Sequence, residues 1–210
     1  MIYVGYTDIS APDEGLYRKL YDRASPERRK RADRSLKQEN AFQCITADGL
    51  LRYALRHTFG TDDFALTATS AGKPTVLGCD DFHFNISHSG NWVTVAWGNE
   101  PVGIDVQMIS MDERKLQLAR RFFHPQEQEY LFCASEQEQA LRFYEIWTKK
   151  ESYLKYIGTG IDRPLDSFSV LEPSETVFHS EQLENAVLTL CAKHLPCQMI
   201  PITWEMLLAE

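Results

Sequence analysis

The spacing of apolar positions changes several times along this chain, and each change predicts an element. Residues Ile2 to Tyr6 read as a short strand, and Ser25-Pro26-Glu27 supplies an N-cap, a first-turn proline and an adjacent acid, so a helix is predicted to follow. A second helical pattern covers Ala41 to Arg56, with Ile45, Leu50, Leu51, Tyr53, Ala54 and Leu55 on its apolar side and Phe59-Gly60 closing it. The period then shortens. His83 to Ala96 reads as two strands around the turn-rich segment Ser87-His88-Ser89-Gly90-Asn91, and Gly98-Asn99-Glu100-Pro101 turns the chain into a third strand. On that strand Val102, Ile104, Val106 and Met108 alternate with Gly103, Asp105 and Gln107, which puts the apolar set inward and gathers Asp105 and Gln107 into one polar site.

Helical spacing returns from Met111 to Phe123, again from His124-Pro125 to about Ala134, and a third time from near Ser135. Phe168 to Leu171 and Ala186 to Cys191 read as strand. Turn chemistry puts a boundary between two lobes near Asn99 to Pro101, with no long flexible linker. The expected fold is mixed α/β: residues 1–100 form an N-terminal lobe and 101–210 a C-terminal lobe, each a small, mostly antiparallel sheet packed with helices.

The segment FYEIWTKKESYLKYIGTG, from Phe143 to Gly160, carries the most chemistry. On a helix, Trp147, Glu151 and Leu154 share a face and Lys155 follows Glu151 by one turn, so a carboxylate and an ammonium sit at the rim of a packed stripe. Tyr144, Trp147 and Leu154 are read as packing. Upstream, VGIDVQM places Asp105 inside an apolar strand, where a carboxylate is costly without a cation or hydrogen bonds. Asp105, the Gln107 carbonyl and Glu151 together offer the hard oxygen donors that Mg²⁺ takes. Lys73 of Gly72-Lys73-Pro74, His88, Lys155 and the arginines at 28 to 31 are the cations available to surround a ligand with several phosphates.

With 210 residues, 43% of them hydrophobic, the chain is long enough for a substantial core. A formal net charge of −8 argues against nonspecific nucleic-acid binding. Arg28, Arg29, Lys30, Arg31, Arg34 and Lys37 stand against that balance, either as a solvated helix face or as a site for a small polyanion. Five cysteines, an odd number with no CxxC pair, point to a reducing compartment. The amino-terminal MIYVGYTDIS lacks the features of a signal peptide, and no run of about 18 apolar residues occurs. A cytoplasmic protein without a membrane or nucleic-acid partner is expected.

In order and approximate spacing, SPERRK, GKP, FNISHSG, VGIDVQ, FFHPQE, WTKKESYLK and PLDSF cover nearly the whole chain. This ordered set resembles the 4′-phosphopantetheinyl transferases of the surfactin-synthetase-activating type. The resemblance implies a pseudo-twofold pair of lobes with coenzyme A in the cleft between them. It also implies transfer of the phosphopantetheine arm to a serine of an apo acyl or peptidyl carrier protein domain, with release of adenosine 3′,5′-bisphosphate. By motif position, Asp105, Gln107 and Glu151 match the Mg²⁺ ligands, and Lys155 matches the lysine at the pyrophosphate. Lys73, Pro74, Ser87 and His88 match positions at the adenosine and its 3′-phosphate, as do the basic residues Arg28 and Arg31. Asp105, Glu151 and Lys155 are the implied catalytic set, with Glu151 accepting the serine proton.

The family's strand motif commonly ends in Glu where this chain has Gln107, and relatives often place an arginine and a hydroxyl residue at Gln43 and Cys44. A coenzyme A- or carrier-binding module without transfer activity is the alternative that Gln107 suggests. Leu118, Phe122 and Phe123 are candidates for carrier contact, although aromatic residues at helical spacing favour a core role for Phe122 and Phe123. Arg114, Lys115, Arg120 and Arg121 are placed to steer an acidic carrier. A chain with two lobes of its own is expected to act as a monomer.

Overall fold

The structure, a computed structural model, describes residues 1–11, 13–110, 112–158, 163–172 and 174–209. Strand β1 (Ile2–Asp8) is followed by helices α1 (Glu14–Arg23), α2 (Pro26–Asp33) and α3 (Gln38–Phe59). Five strands come next, β2 (Leu66–Ala68), β3 (Pro74–Val76), β4 (His83–Ser89), β5 (Trp92–Gly98) and β6 (Val102–Met108). Helices α4 (Glu113–Phe122), α5 (Pro125–Phe132) and α6 (Glu136–Ile157) precede β7 (Val177–Gln182), β8 (Ala186–Ala192), β9 (Cys197–Pro201) and α7 (Trp204–Leu208). No helix among the described residues is long and apolar enough to cross a membrane.

Local chemistry accounts for the helix ends. Ser25 caps α2 by accepting from the Arg28 amide, as the Ser-Pro-Glu signal requires, and Gly60 ends α3 with a φ of 71°, which only glycine adopts without strain. Helix α1 was not anticipated from the sequence; Asp13 caps it by accepting from the Leu16 amide. Two expectations reach beyond the described residues: Met111, expected to begin α4, and Gly160, the end of the Phe143 segment.

One sheet has the order β4-β5-β1-β9, antiparallel except where β1 runs parallel to β9, and a second has the order β6-β8-β7. Helix α3 buries Ile45, Leu50, Leu51 and Ala54 in one core with Val93, Val95 and Trp97 of β5. On the other face, Ile2, Val4 and Ala96 pack with Val102, Ile104, Val106, Leu188 and Leu190, so the two sheets share a second apolar layer. The alternation read along β6 therefore holds, with the residues at 102, 104 and 106 in that layer. Gly103 and Asp105 are buried as well, because α6 covers their side of the strand. A Cβ on Gly103 would collide with the Ser152 carbonyl and the Tyr156 amide, so the missing side chain is what lets α6 lie against β6. The last strand and helix return to the first half of the chain, where β9 pairs with β1 and α7 packs on α1 and α3.

Phe168 to Leu171 is not a strand. The Phe168 carbonyl accepts from Lys150 Nζ at 2.6 Å and the Val170 amide donates to Glu127 Oε1 at 2.8 Å. A buried ion pair, Lys150 Nζ to Glu127 Oε2 at 2.8 Å, thus occupies the backbone groups a strand ladder would need. Phe123 belongs to the core, 1% exposed and stacked on Phe143 at 5.3 Å, whereas Leu118 and Phe122 are only half-buried on α4. Tyr144 and Leu154 are buried and Trp147 stacks on Phe143, in agreement with their reading as packing residues.

Candidate active site

The site lies where the outer strand of each sheet meets α6. Asn85, Ser87 and Ser89 occupy alternate positions of β4 and so project from one side of it. Asn85 Oδ1 accepts from the Ile104 amide at 2.9 Å, Ser87 Oγ from Val106 at 3.3 Å and Ser89 Oγ from Met108 at 3.1 Å. Three side chains of one sheet thereby satisfy the free amides of the neighbouring sheet's edge, closing an otherwise open strand.

The central member of this ladder leads into the charged groups. Ser87 Oγ donates to Asp105 Oδ1 at 2.8 Å and accepts from Lys155 Nζ at 3.0 Å. Lys155 Nζ also donates to Asp105 Oδ1 at 2.6 Å and to the Ile104 carbonyl at 3.0 Å, so its three protons have three acceptors. Gln107 Nε2 donates to Asp105 Oδ2 at 3.2 Å. Asp105 is 2% exposed, and these contacts supply the compensation that its place in an apolar strand demands. Glu151, one helical turn before Lys155, faces the same carboxylate, and among the described residues no hydrogen-bond donor reaches it. Its carboxyl pKa is raised, first by burial and then by the Asp105 charge, with Lys155 acting in the opposite direction.

Beside this cluster Lys73, Pro74, Asn85, Glu151, Leu154 and Lys155 line a recess of about 250 Å³. A larger cleft of about 430 Å³ carries Arg28, Arg31, Gln43, Pro74, Asn85 and His88 on its walls. Pro74 and Asn85 belong to both, so the openings adjoin. Desolvation by the cleft walls, followed by the charges of Lys155, Arg31 and Arg28, lowers the His88 pKa, and an anion among these groups would push it back up. The structure thus places Arg28, Arg31, Pro74, His88, Glu151 and Lys155 along the two adjoining openings, with Ser87, Asp105 and Gln107 in the hydrogen-bonded cluster that reaches Lys155.

Lys73 lines the recess, but its ammonium points at backbone. It donates to the Lys155 carbonyl at 2.7 Å, the Val102 carbonyl at 3.1 Å and the Tyr156 carbonyl at 3.5 Å, tying the Gly72-Lys73-Pro74 segment to the end of α6. Its burial lowers its pKa.

The model of the 4′-phosphopantetheinyl transferase superfamily matches residues 101–197, which include Asp105, Gln107, Glu151 and Lys155. The chain is 38% identical over 148 residues to the 4′-phosphopantetheinyl transferase Sfp of Bacillus subtilis strain 168, covering 70% of this chain and 65% of that protein. Another Bacillus subtilis 4′-phosphopantetheinyl transferase is 36% identical over 173 residues, covering 80% of this chain and 75% of the relative. This chain belongs to the 4′-phosphopantetheinyl transferase superfamily. A third relative, the 4′-phosphopantetheinyl transferase gsp of Aneurinibacillus migulanus, is 33% identical over 178 residues, 83% of this chain and 73% of its own length. The family transfers the phosphopantetheine arm of coenzyme A to carrier proteins.

In this transferase the raised carboxyl of Glu151 has a thermodynamic consequence. A carboxyl whose folded pKa lies above its unfolded one contributes its full stability below the unfolded value and loses it as pH rises through the folded value. Ionised Glu151 therefore strains the ligand-free fold at neutral pH. Glu151→Gln is expected to raise Tm at pH 7, with the gain shrinking as pH falls toward about 4. Thermal melts across that range check this, and a lower Tm at pH 7 would contradict it.

Sequence reasoning missed several transferase residues. Asn85 and Ser89, which flank the expected Ser87, had a readable signal in the polar alternation of FNISHSG. Ser35 and Asn40 also line the large cleft, and nothing in their local sequence marks them. Gln43 and Cys44, noted for their departure from relatives, are buried in its wall, with Gln43 Nε2 donating to the Gly90 carbonyl at 2.8 Å.

Proposed function

We propose that this chain transfers the 4′-phosphopantetheine arm of coenzyme A to a serine hydroxyl of an apo carrier protein, in a Mg²⁺-dependent reaction that releases adenosine 3′,5′-bisphosphate. The observation that carries the proposal is the opposition of Asp105 and Glu151 beside a cleft walled by Arg28, Arg31 and His88. Residues 1–100 and 101–210 act as two lobes in this reading, with 197–208 folded back on the first. All the groups invoked come from one chain, in keeping with a monomer, and the free cysteines and the coenzyme suit the cytoplasm.

The residues fit a divalent cation. Two carboxylates repel each other here, and that of Glu151 has no donor of its own among the described residues. Among the described residues no three His, Cys, Asp or Glu side chains come together as a metal site, so the third protein donor in this reading would be the amide of Gln107. Asp105, Glu151 and the Gln107 side-chain oxygen would hold Mg²⁺, with the Gln107 amide turned over from the orientation in which its Nε2 meets Asp105. Bound there, the ion would supply positive charge to the pyrophosphate of the coenzyme.

The chain's own groups do the rest. Arg28, Arg31 and His88 hold the nucleotide phosphate, and Pro74 walls the cleft beside them. Glu151 takes the serine proton, a role its raised pKa favours. The serine oxygen forms a bond to the pantetheine-side phosphorus, the bridging P–O bond breaks, and its electron pair leaves with adenosine 3′,5′-bisphosphate. Lys155, held over Asp105, balances charge gathering on the phosphate oxygens. Leu118, Phe122 and the arginines of α4 form the surface read as meeting the carrier.

Incubation with coenzyme A, Mg²⁺ and a panel of apo carrier domains, followed by intact-mass analysis, tests the proposal. A phosphopantetheine mass gain lost on changing the acceptor serine to alanine is expected. Coenzyme A binding without any mass gain across the panel would leave a binding module instead. Gln107→Glu adds an anionic donor, so the Mg²⁺ concentration for half-maximal activity is expected to fall. A titration showing an unchanged or higher requirement would argue against ligation by residue 107.

A further inference from the structure

A buried carboxylate stands behind the nucleotide cleft, and the proposed reaction does not use it. Asp48 lies within α3 and is 1% exposed. Its Oδ2 accepts from Arg52 Nε at 2.9 Å. Its Oδ1 is also buried, yet among the described residues no hydrogen-bond donor meets it; Arg28 Nε stands 3.8 Å away. Arg28 is on α2 and lines the cleft. Among the described residues its guanidinium makes no side-chain hydrogen bond, so it is drawn to Asp48 by charge while its N–H donors stay unspent. Cys44, which also lines the cleft, offers its Sγ to the Arg28 carbonyl at 3.7 Å, a further contact between α3 and the residue that carries this cation.

A carboxylate this deeply buried with a single donor is costly unless a second cation compensates it. That cost is what keeps Arg28 near α3. From this geometry we infer that Asp48 is a positioning residue for phosphate recognition, aiming Arg28 so that it meets a phosphate monoester standing apart from the coenzyme's pyrophosphate. The inference rests on the functional reading above, which makes the cleft a nucleotide site. Two effects of removing the Asp48 charge oppose each other. The cleft becomes more positive, but its openness and the solvent screen that gain. The freed arginine must then be ordered by the ligand itself, and this local cost is the larger.

Calorimetric titration of the full chain with adenosine 3′,5′-bisphosphate and with adenosine 5′-monophosphate tests the inference. Asp48→Asn keeps the side-chain shape and an oxygen for Arg52, and is expected to weaken the bisphosphate about three- to tenfold, the cost of ordering one long side chain. Its effect on the monophosphate should stay within about twofold by the same reasoning. Arg28→Gln should produce the same selective loss, and combining the two substitutions should add little, because both remove one device. Equal weakening of both ligands, which a purely structural role for Asp48 predicts, or no weakening, overturns the inference. If Asp48→Asn does not fold, Asp48→Glu carries the same test, since one extra methylene displaces the charge from Arg28. A wild-type chain that binds neither nucleotide sinks the functional reading and this inference together, whereas wild-type binding with unselective losses sinks the inference alone.

Discussion

Lys150→Met is expected to lower the unfolding free energy by about 3–5 kcal/mol, the cost of leaving a buried charge without its partner. Lys150 and Glu127 are both fully buried, 2.8 Å apart. Lys150 Nζ also donates to the Leu165 and Phe168 carbonyls, each at 2.6 Å, and Glu127 accepts from the His124 and Val170 amides at 2.9 and 2.8 Å. The substitution thus strands a carboxylate and two carbonyls at once. Adding Glu127→Gln should recover a large part of the loss, because a neutral amide tolerates burial far better than an unpaired carboxylate. Urea denaturation of the two variants checks this. A loss below about 1 kcal/mol in the single variant, typical of an exposed pair, would show that the pair is solvated in solution.

Asp105→Ala is expected to reduce transfer to carrier protein by about 10²–10³-fold or more, the usual scale for removing a preorganised electrostatic group. The fold should survive. Lys155 keeps its bonds to Ser87 and the Ile104 carbonyl, and Glu151 loses the neighbour whose charge raises its pKa. Intact-mass measurement of the carrier, with a thermal melt of the enzyme, separates lost chemistry from lost structure. Turnover above about a tenth of wild type would remove Asp105 from the centre of the reaction, because electrostatic preorganisation implies a larger loss, and a melting temperature lowered by many degrees would assign the loss to structure instead.

Much of the fold was legible because local chemistry and burial agreed. Ser25-Pro26-Glu27 begins α2 as expected, the alternation around Asp105 gives β6, and Ser135 precedes α6. The failure at Phe168–Leu171 has a definite cause. Those residues have strand-forming side chains, but their backbone groups are taken by Lys150 and Glu127, more than a dozen residues away. Strand β9 was missed because its pairing partner, β1, lies at the other end of the chain, and a short segment alone carries no sign of that partner. Among the candidate residues, Lys73 shows how identity and orientation part company: a lysine beside an arginine-lined cleft invites an anion contact, while its ammonium is spent on three carbonyls.

By itself the sequence determined the element types over most of the chain, the acid and base on α6, the acid on β6, and the basic helix at 28 to 31. These follow from periodicity, capping and side-chain chemistry, which act over a few residues. The tertiary structure alone decided that Ser87 joins Asp105 to Lys155, that Asp48 stands behind Arg28, and that Lys150 closes on Glu127. Each of those contacts depends on the direction of a side chain after two distant segments have packed, and that direction is set by burial and by hydrogen bonds available only in the folded chain.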